Sequence, residues 1–499
     1  MLVPGTAPRP TTEPAPADDR AFVGHPRGLL TLSGLEVWER FSFLGMQAIL
    51  VLYFADAVTN GGMGMDAGTA ASVSAAYGTL VYLVSVAGGW LADRILGSYR
   101  AVLWGGILIA CGHYAMAVPT DAMTWVGLGL ISAGTGLLKP NVATMVGKLY
   151  RTDDDRRDAG FALYYMGINI GAFLGPLITG WLGEHQGWHW GFSAAAFGMT
   201  LGLIQYVAGR RHLAGRKHTA EYALPPQAMR RAVRLIVAGL LACAAIAVLL
   251  AGIGWLTMGR FVDLLTLISV LAPIAYFVWM FKSPRVSGEE RGRLRPYVVL
   301  FLASVAFNFI LFQAYSTMML LASTSAETTI LGFDFPASWY ASALGAFEVA
   351  LAPVVAAVWV RMGHRQPHAS NKIALGVVLG GLSFLLMVLP TSGHSGDYKM
   401  AAWWIVGSYL LLGLGDILLE TSGMSATSKL APKAFASQTM ALWFLSLALA
   451  NGIQAQTVKF YGKVSDPVYF GVNGAVAVAV GLAVIAAAPW LRRTMHPVH

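Results

Sequence analysis

The chain has 499 residues, of which 56% are hydrophobic and only 12% charged. Soluble domains carry about 25% charged residues, so this balance excludes an ordinary soluble enzyme or binding module and points to a polytopic membrane protein. The formal net charge of +9 would suit a nucleic-acid ligand only if it were clustered, and it is spread over loops between apolar runs.

Residues 1–28 are rich in Pro, Ala and Thr. They lack the apolar core of a signal peptide and read as a disordered cytosolic tail. A membrane helix needs about 20 mostly apolar residues. Spans on that scale fall near 29–55, 69–93, 99–118, 121–147, 157–182 and 190–209, which together define a first six-helix bundle over 29–210. Segment 211–294 supplies basic linkers and two further spans, 231–254 and 261–281. The series resumes near 296–322, 335–360, 373–390, 400–428, 434–457 and 469–491, a second six-helix bundle over 295–492, and 493–499 is left as a cytosolic tail.

The expected fold class is therefore an all-α polytopic membrane protein with about fourteen transmembrane helices, six plus two plus six. Arg94, Lys148, Arg156, Arg210, Arg216, Lys217, Arg361 and Lys429 fall in loops on one side, whereas the other side holds only Arg260, Lys399, Lys459 and Lys463. This asymmetry predicts that both termini are cytosolic. Six plus six is the arithmetic of a two-bundle secondary transporter with its site between the halves. The middle pair has few buried charges, with Asp263 near its outer edge, and reads as a lipid-facing structural hairpin. Cys111 and Cys243 lie in apolar runs and imply neither a disulfide framework nor a metal site.

Three polar stretches interrupt the apolar spans. The first, Gly34-Leu-Glu36-Val-Trp-Glu39-Arg40-Phe-Ser-Phe43-Leu44-Gly45, puts three ionisable side chains inside the first span. Each costs about 2.5–3.5 kcal/mol at membrane depth unless paired or hydrated. Their i, i+3, i+4 spacing places all three on one helix face, which reads as the wall of a central aqueous pathway. The second, Gly88-Gly-Trp-Leu-Ala-Asp93-Arg94-Ile-Leu-Gly97, joins two spans by a tight charged turn flanked by glycines that allow close helix approach. It resembles the loop signature of the major facilitator superfamily. The third, Gly134-Thr-Gly136-Leu-Leu-Lys139-Pro140-Asn141, sets a lysine about 12 Å from its helix end at 1.5 Å per residue, beside a helix-kinking proline. Asp416 and Glu420 lie one turn apart in the span near 400–428. Lys139 and Asp416 come from opposite halves, and an ion pair between them that forms in one state and breaks in another would be a usable gate.

Glu36-x-x-Glu39-Arg40-Phe41, the loop at 88–100, Lys139-Pro140-Asn141, Phe161-Ala-Leu-Tyr164-Tyr165-Met-Gly-Ile-Asn169-Ile-Gly171, Ser428-Lys429-Leu-Ala-Pro432 and Leu442-Trp443-Phe444 together resemble the proton-coupled oligopeptide transporter family, and the two extra helices match its bacterial branch. The resemblance implies a major facilitator fold and proton-driven import of di- and tripeptides. It assigns Glu36, Glu39 and Arg40 to proton coupling, and Arg40 with Lys139 to the peptide carboxylate. It assigns Asp416 to the peptide amine, and Tyr82, Asn169 and Trp443 to the pocket lining. Tyr82 and Trp443 read equally as packing aromatics.

The chain departs from the family pattern at four places. Phe43 and Leu44 stand where the family has tyrosines, Phe312 precedes Gln313 where it has an acid, and Ala341-Ser-Ala-Leu-Gly345 lacks an asparagine. Glu348 and Glu420 are additional acids, expected to compensate at the end of the pocket that takes the substrate's cation and to shift the substrate set; local pairing or exposure to a cytosolic vestibule is the other reading of Glu348.

The expected function is alternating-access import of di- or tripeptides or peptide-like compounds, coupled to protons and needing no cofactor. The expected partners are the peptide, protons and the lipid bilayer of the inner membrane, with the chain acting as a monomer. The alternatives are a carrier of a non-peptide organic anion and a receptor that binds peptide without moving it. No metalloprotease, serine hydrolase or ATP-binding motif occurs, so no enzymatic activity is expected.

Overall fold

The computed structural model describes residues 20–150, 154, 156–213, 220, 224–330, 332–392 and 399–495. Most of the predicted N-terminal tail, the last four residues, and Arg216 and Lys217 of the first basic linker lie outside the described residues.

The first six long helices are α1 (Arg27–Ala55), α2 (Ala67–Leu91), α3 (Ser98–Met116), α4 (Asp121–Gly147), α5 (Arg157–Gln186) and α6 (Trp188–Ala208). Next come α7 (Pro226–Gly252) and α8 (Met258–Lys282). The rest is α9 (Gly288–Leu311), α10 (Thr317–Ser325), α11 (Trp339–Met362), α12 (Ala369–Thr391), α13 (Ala402–Leu430), α14 (Ala436–Thr457), α15 (Asp466–Ala486) and the short α16 (Ala488–Met495). Among the described residues, ten helical segments are long and apolar enough to cross a membrane. Helix α1 misses that criterion because Glu36, Glu39 and Arg40 interrupt it.

Three boundaries differ from the sequence reading. The span near 296–322 breaks at Ser316, whose φ of −133° and ψ of −94° end the helical path. The side chain of Gln313 is tied down beside the break. Its amide donates to the Phe309 carbonyl, while the hydroxyls of Tyr469 and Thr317 donate to its oxygen at 2.6 and 3.1 Å, so local side-chain bonds compete with the backbone ladder. The last span stops at Ala486, and α16 carries helix into the predicted tail as far as Met495. At the other end, His25 is buried and its Nδ1 lies 2.9 Å from the Tyr150 hydroxyl, so the tail is already seated before α1 begins. The middle pair is also not uniformly lipid-facing. Helix α7 is exposed along its length, but α8 docks against α2 and α14. The Thr266 hydroxyl of α8 donates to the Gly452 carbonyl at 3.1 Å, and Asp263 pairs with Lys459 at 3.0 Å.

Helices α1 to α6 pack mainly on one another, with α1 against α5 and α6 and α4 against α2 and α3; α9 and α11 to α15 form a second group around α12 and α13. Small residues set the closest approaches. A Cβ at Gly171 would stand 2.4 Å from the Val37 carbonyl oxygen, and one at Gly88 would stand 2.0 Å from the Gly136 carbonyl oxygen. Only glycine lets α5 and α2 press backbone to backbone on α1 and α4.

The two groups meet along two seams, α2 with α14 and α5 with α11. Both are tight toward the face opposite the chain termini. There the Ser72 hydroxyl donates to the Ala455 carbonyl at 2.6 Å, and the Glu184 carboxylate accepts from the Ala337 and Ser338 amides at 3.0 and 2.9 Å. Toward the termini the groups part. All buried residues of α11 lie in its first half, from Tyr340 to Glu348, and although the Tyr165 hydroxyl of α5 still reaches Met424 Sδ of α13 at 3.1 Å, Tyr165 is 42% exposed. The mouth between the halves thus opens on the face that carries the termini.

Candidate substrate site

The wall contributed by α1 is set by its seat on α5. Because Gly171 lacks a side chain, Arg40 sits directly against the α5 backbone. Its Nε lies 2.5 Å from Glu39 Oε2 and 3.2 Å from Glu36 Oε1. All three residues are at most 5% exposed. One guanidinium between two carboxylates leaves the group one negative charge in excess. Arg40 Nη2, Glu39 Oε1 and Glu36 Oε2 are buried without hydrogen-bond partners among the described residues. Buried polar atoms in that condition are expensive unless another group or a proton completes them. Phe43, which stands where a tyrosine was expected, lies under the guanidinium with its ring centroid 5.4 Å from Arg40 Cζ. It offers a cation–π face instead of a hydroxyl.

Lys139 projects from α4 toward α2. Its ammonium donates to the Tyr82 hydroxyl at 3.3 Å and lies 4.6 Å from that ring's centroid. Phe312, which stands where an acid was expected, packs on Tyr82 with ring centroids 5.6 Å apart. An aromatic contact between the two halves thus stands where a charge was expected. Asn169 is half-buried on α5.

The facing wall comes from α11 and α13. Asp416 and Glu420 are one helical turn apart, and Glu348 packs over Gly413, its Cγ 3.7 Å from where a Cβ on that glycine would be. Asp416 hydrogen-bonds to Glu348 and feels the charge of both Glu348 and Glu420. Asp416 Oδ1 is buried with no partner among the described residues. Glu420 accepts from the Trp443 indole nitrogen at 3.3 Å. Trp443 is only 1% exposed and wedges against Gly423, so it supports Glu420 from behind.

The candidate site residues fall into separate groups. Glu36, Glu39 and Arg40 form one ion cluster, Lys139 joins Tyr82, and Glu348, Asp416 and Glu420 form another cluster. Lys139 and Asp416 do not form an ion pair within 4 Å, which fits a mouth that is open where they would meet. Two participants went unnoticed in the sequence. Tyr164, buried on α5, faces Glu36 and Arg40; its place in the 161–171 motif was the available signal. Glu184 gave no signal beyond being an acid at a span's end. Among the described residues no group of His, Cys, Asp and Glu could hold a metal ion.

A family model described as the POT family matches residues 99–473. The chain belongs to the POT family. It is 38% identical to a di-/tripeptide transporter of Lactococcus lactis subsp. cremoris over 482 residues, covering 93% of this chain and 95% of that protein. The crystal structure of a peptide transporter POT in complex with sulfate superposes with a TM-score of 0.92 at 43% identity, covering 96% of this chain and 97% of that one. A POT family transporter in complex with 5-aminolevulinic acid gives a TM-score of 0.90 at 32% identity, covering 95% and 98%. Membership makes this POT-family chain a membrane transporter and not an enzyme. Its fold is the expected major facilitator arrangement with an inserted helix pair.

Proposed function

We propose that this chain imports di- and tripeptides or peptide-like compounds by alternating access, driven by protons. The observation that carries the reading is the division of charge across the opening between the halves. Arg40 and Lys139 stand on one wall and Glu348, Asp416 and Glu420 on the other. A dipeptide is a zwitterion, so such a site orients it by its ends and leaves its side chains to a tolerant pocket. The named function of the Lactococcus relative supports the same substrate class.

In this reading the termini are cytosolic in the inner membrane, the open mouth faces the cytosol, and a single chain suffices. A proton enters from outside onto Glu36 or Glu39 and loosens the hold on Arg40. The substrate carboxylate then takes Arg40 and Lys139, while Asp416 receives the amine. When the cytosolic mouth is shut, Lys139 pairs with Asp416, and substrate competes that pair away. Protons are the only coupling ion and no cofactor takes part. A ligand shifts this equilibrium only by its differential affinity for the two states.

The test is uptake into proteoliposomes under an imposed pH gradient, acid outside. Accumulation of a radiolabelled dipeptide that collapses with a protonophore is the expected result. Dipeptide binding without counterflow would instead identify a receptor. The bound 5-aminolevulinic acid of one relative favours a second reading, a small amino-acid-like compound, and its preferential uptake over every dipeptide would establish that.

A further inference from the structure

The acidic wall holds more negative charge than one peptide amine can answer. Glu348 is 9% exposed and shares a hydrogen bond with Asp416, but among the described residues it pairs with no base. The Oδ1 of Asp416 has no partner among the described residues, and Glu420 receives only an indole N–H. The base on the opposite wall, Lys139, is engaged with Tyr82 and lies beyond 4 Å of all three carboxylates. Arg40 is already flanked by two carboxylates of its own. The wall therefore has room for two cationic groups after the substrate carboxylate has gone to the basic side.

We propose that Glu348 and Glu420 are specificity-determining residues that make this site favour peptides with a second positive charge, a lysine or arginine side chain in addition to the α-amine. The inference rests on the peptide-import reading and deepens it. Asp416 sits between the two acids, one turn from Glu420 and beside Glu348, and takes the α-amine. The side-chain ammonium or guanidinium then reaches Glu348 or Glu420. A buried carboxylate left alone is costly, and a charge-assisted hydrogen bond removes that cost. A neutral side chain of the same length leaves those carboxylates uncompensated or forces them to take protons.

The probe is competition against uptake of a labelled dipeptide by the full chain in proteoliposomes, using Lys-Ala, norleucine-Ala, Ala-Ala and Glu-Ala. Norleucine keeps the lysine stem and removes its charge. The expected result is that Lys-Ala competes about tenfold better than norleucine-Ala, a difference of about 1.4 kcal/mol, and that Glu-Ala is weakest. In Glu348→Gln or Glu420→Gln that ratio falls toward one. Equal competition by Lys-Ala and norleucine-Ala in the parent protein overturns the inference while leaving peptide import intact. So does a ratio that persists in both variants. Should no dipeptide compete or accumulate, the import reading fails and this inference with it. Because the parent's ratio needs no variant to fold, equal competition there overturns the inference even if both variants misfold.

Discussion

The carboxylate of Glu184 accepts from the backbone amide of Ser338 at 2.9 Å and from that of Ala337 at 3.0 Å, fastening the end of α5 to the start of α11. An acid at a helix N-terminus satisfies amides that have no intrahelical partner and complements the helix dipole. Here the helix it caps belongs to the other half of the molecule. The same seam is closed by the Trp339 indole, which donates to the Leu177 carbonyl at 2.9 Å, and by Gly180, which abuts Ser338. The Glu184 bonds must break for the face opposite the termini to open. Glu184→Ala removes both, and hydrogen bonds to a charged group contribute about 1.5–3 kcal/mol. The variant should raise the population open on that face about tenfold or more. Spin labels at Gln186 and Asp334, with Cys111 and Cys243 replaced, should show a longer distance component in the variant; an unchanged distribution would remove Glu184 from the latch.

Glu39 is fully buried, and its Oε2 lies 2.5 Å from Arg40 Nε. Neutralising it by Glu39→Gln should imitate permanent protonation. Gradient-driven accumulation should fall to the level of simple equilibration, while exchange of labelled for unlabelled substrate continues at a measurable rate. If the variant concentrates substrate as the parent does, the coupling role passes to Glu36 or another acid.

Gly171 fixes where Arg40 stands, because a Cβ there would lie 2.4 Å from the Val37 carbonyl oxygen and 2.7 Å from Arg40 Cβ. Overpacking of this kind typically destabilises by about 1–3 kcal/mol. Gly171→Ala should lower the thermal midpoint and weaken substrate binding together, since α1 has to move and carries the ion cluster with it. Gly129→Ala in α4 is the control, as no atom lies within 4 Å of its added methyl. That variant should match or slightly exceed the parent in stability. Equal midpoints in the two variants would mean that α1 and α5 are looser than they look.

The sequence made the charged positions easy to find because an ion in an apolar span has few structural reasons to be there. Glu36, Glu39, Arg40, Lys139 and Asp416 were legible on that ground alone, and their helices fall within a few residues of the expected spans. What stayed hidden depends on tertiary neighbours. Nothing local distinguishes Glu184 from an interfacial acid, since its partners are backbone amides 153 and 154 residues away. Gln313, just before the break at Ser316, is held by a hydroxyl on Tyr469, far along the chain. Hydropathy alone could not separate α7 from α8, which are both apolar, although only α8 is docked between the halves. Phe312 read as a lost acid, but its contact with Tyr82 appears only once α2 and α9 are placed together.

Lys139 and Asp416 supply the last prediction, because the open mouth leaves them apart while their positions on opposite walls allow them to meet on closure. With the mouth open, Lys139 rests on Tyr82 and Asp416 has a buried oxygen without a partner. If the closed state gains an ion pair between them, removing either charge penalises that state by leaving the other uncompensated. Lys139→Gln should therefore hold the mouth open and slow exchange at least tenfold, and Asp416→Asn should act the same way. The exchanged pair, Lys139→Asp with Asp416→Lys, restores the contact with reversed polarity. It should recover part of the closing equilibrium, read as protection of an engineered cysteine at Tyr165 from a thiol reagent, even if peptide binding stays weak because the electrostatic ends of the site are reversed. Additive loss in the exchanged pair, with no recovery of protection, would show that the two residues never meet and that another contact shuts the mouth.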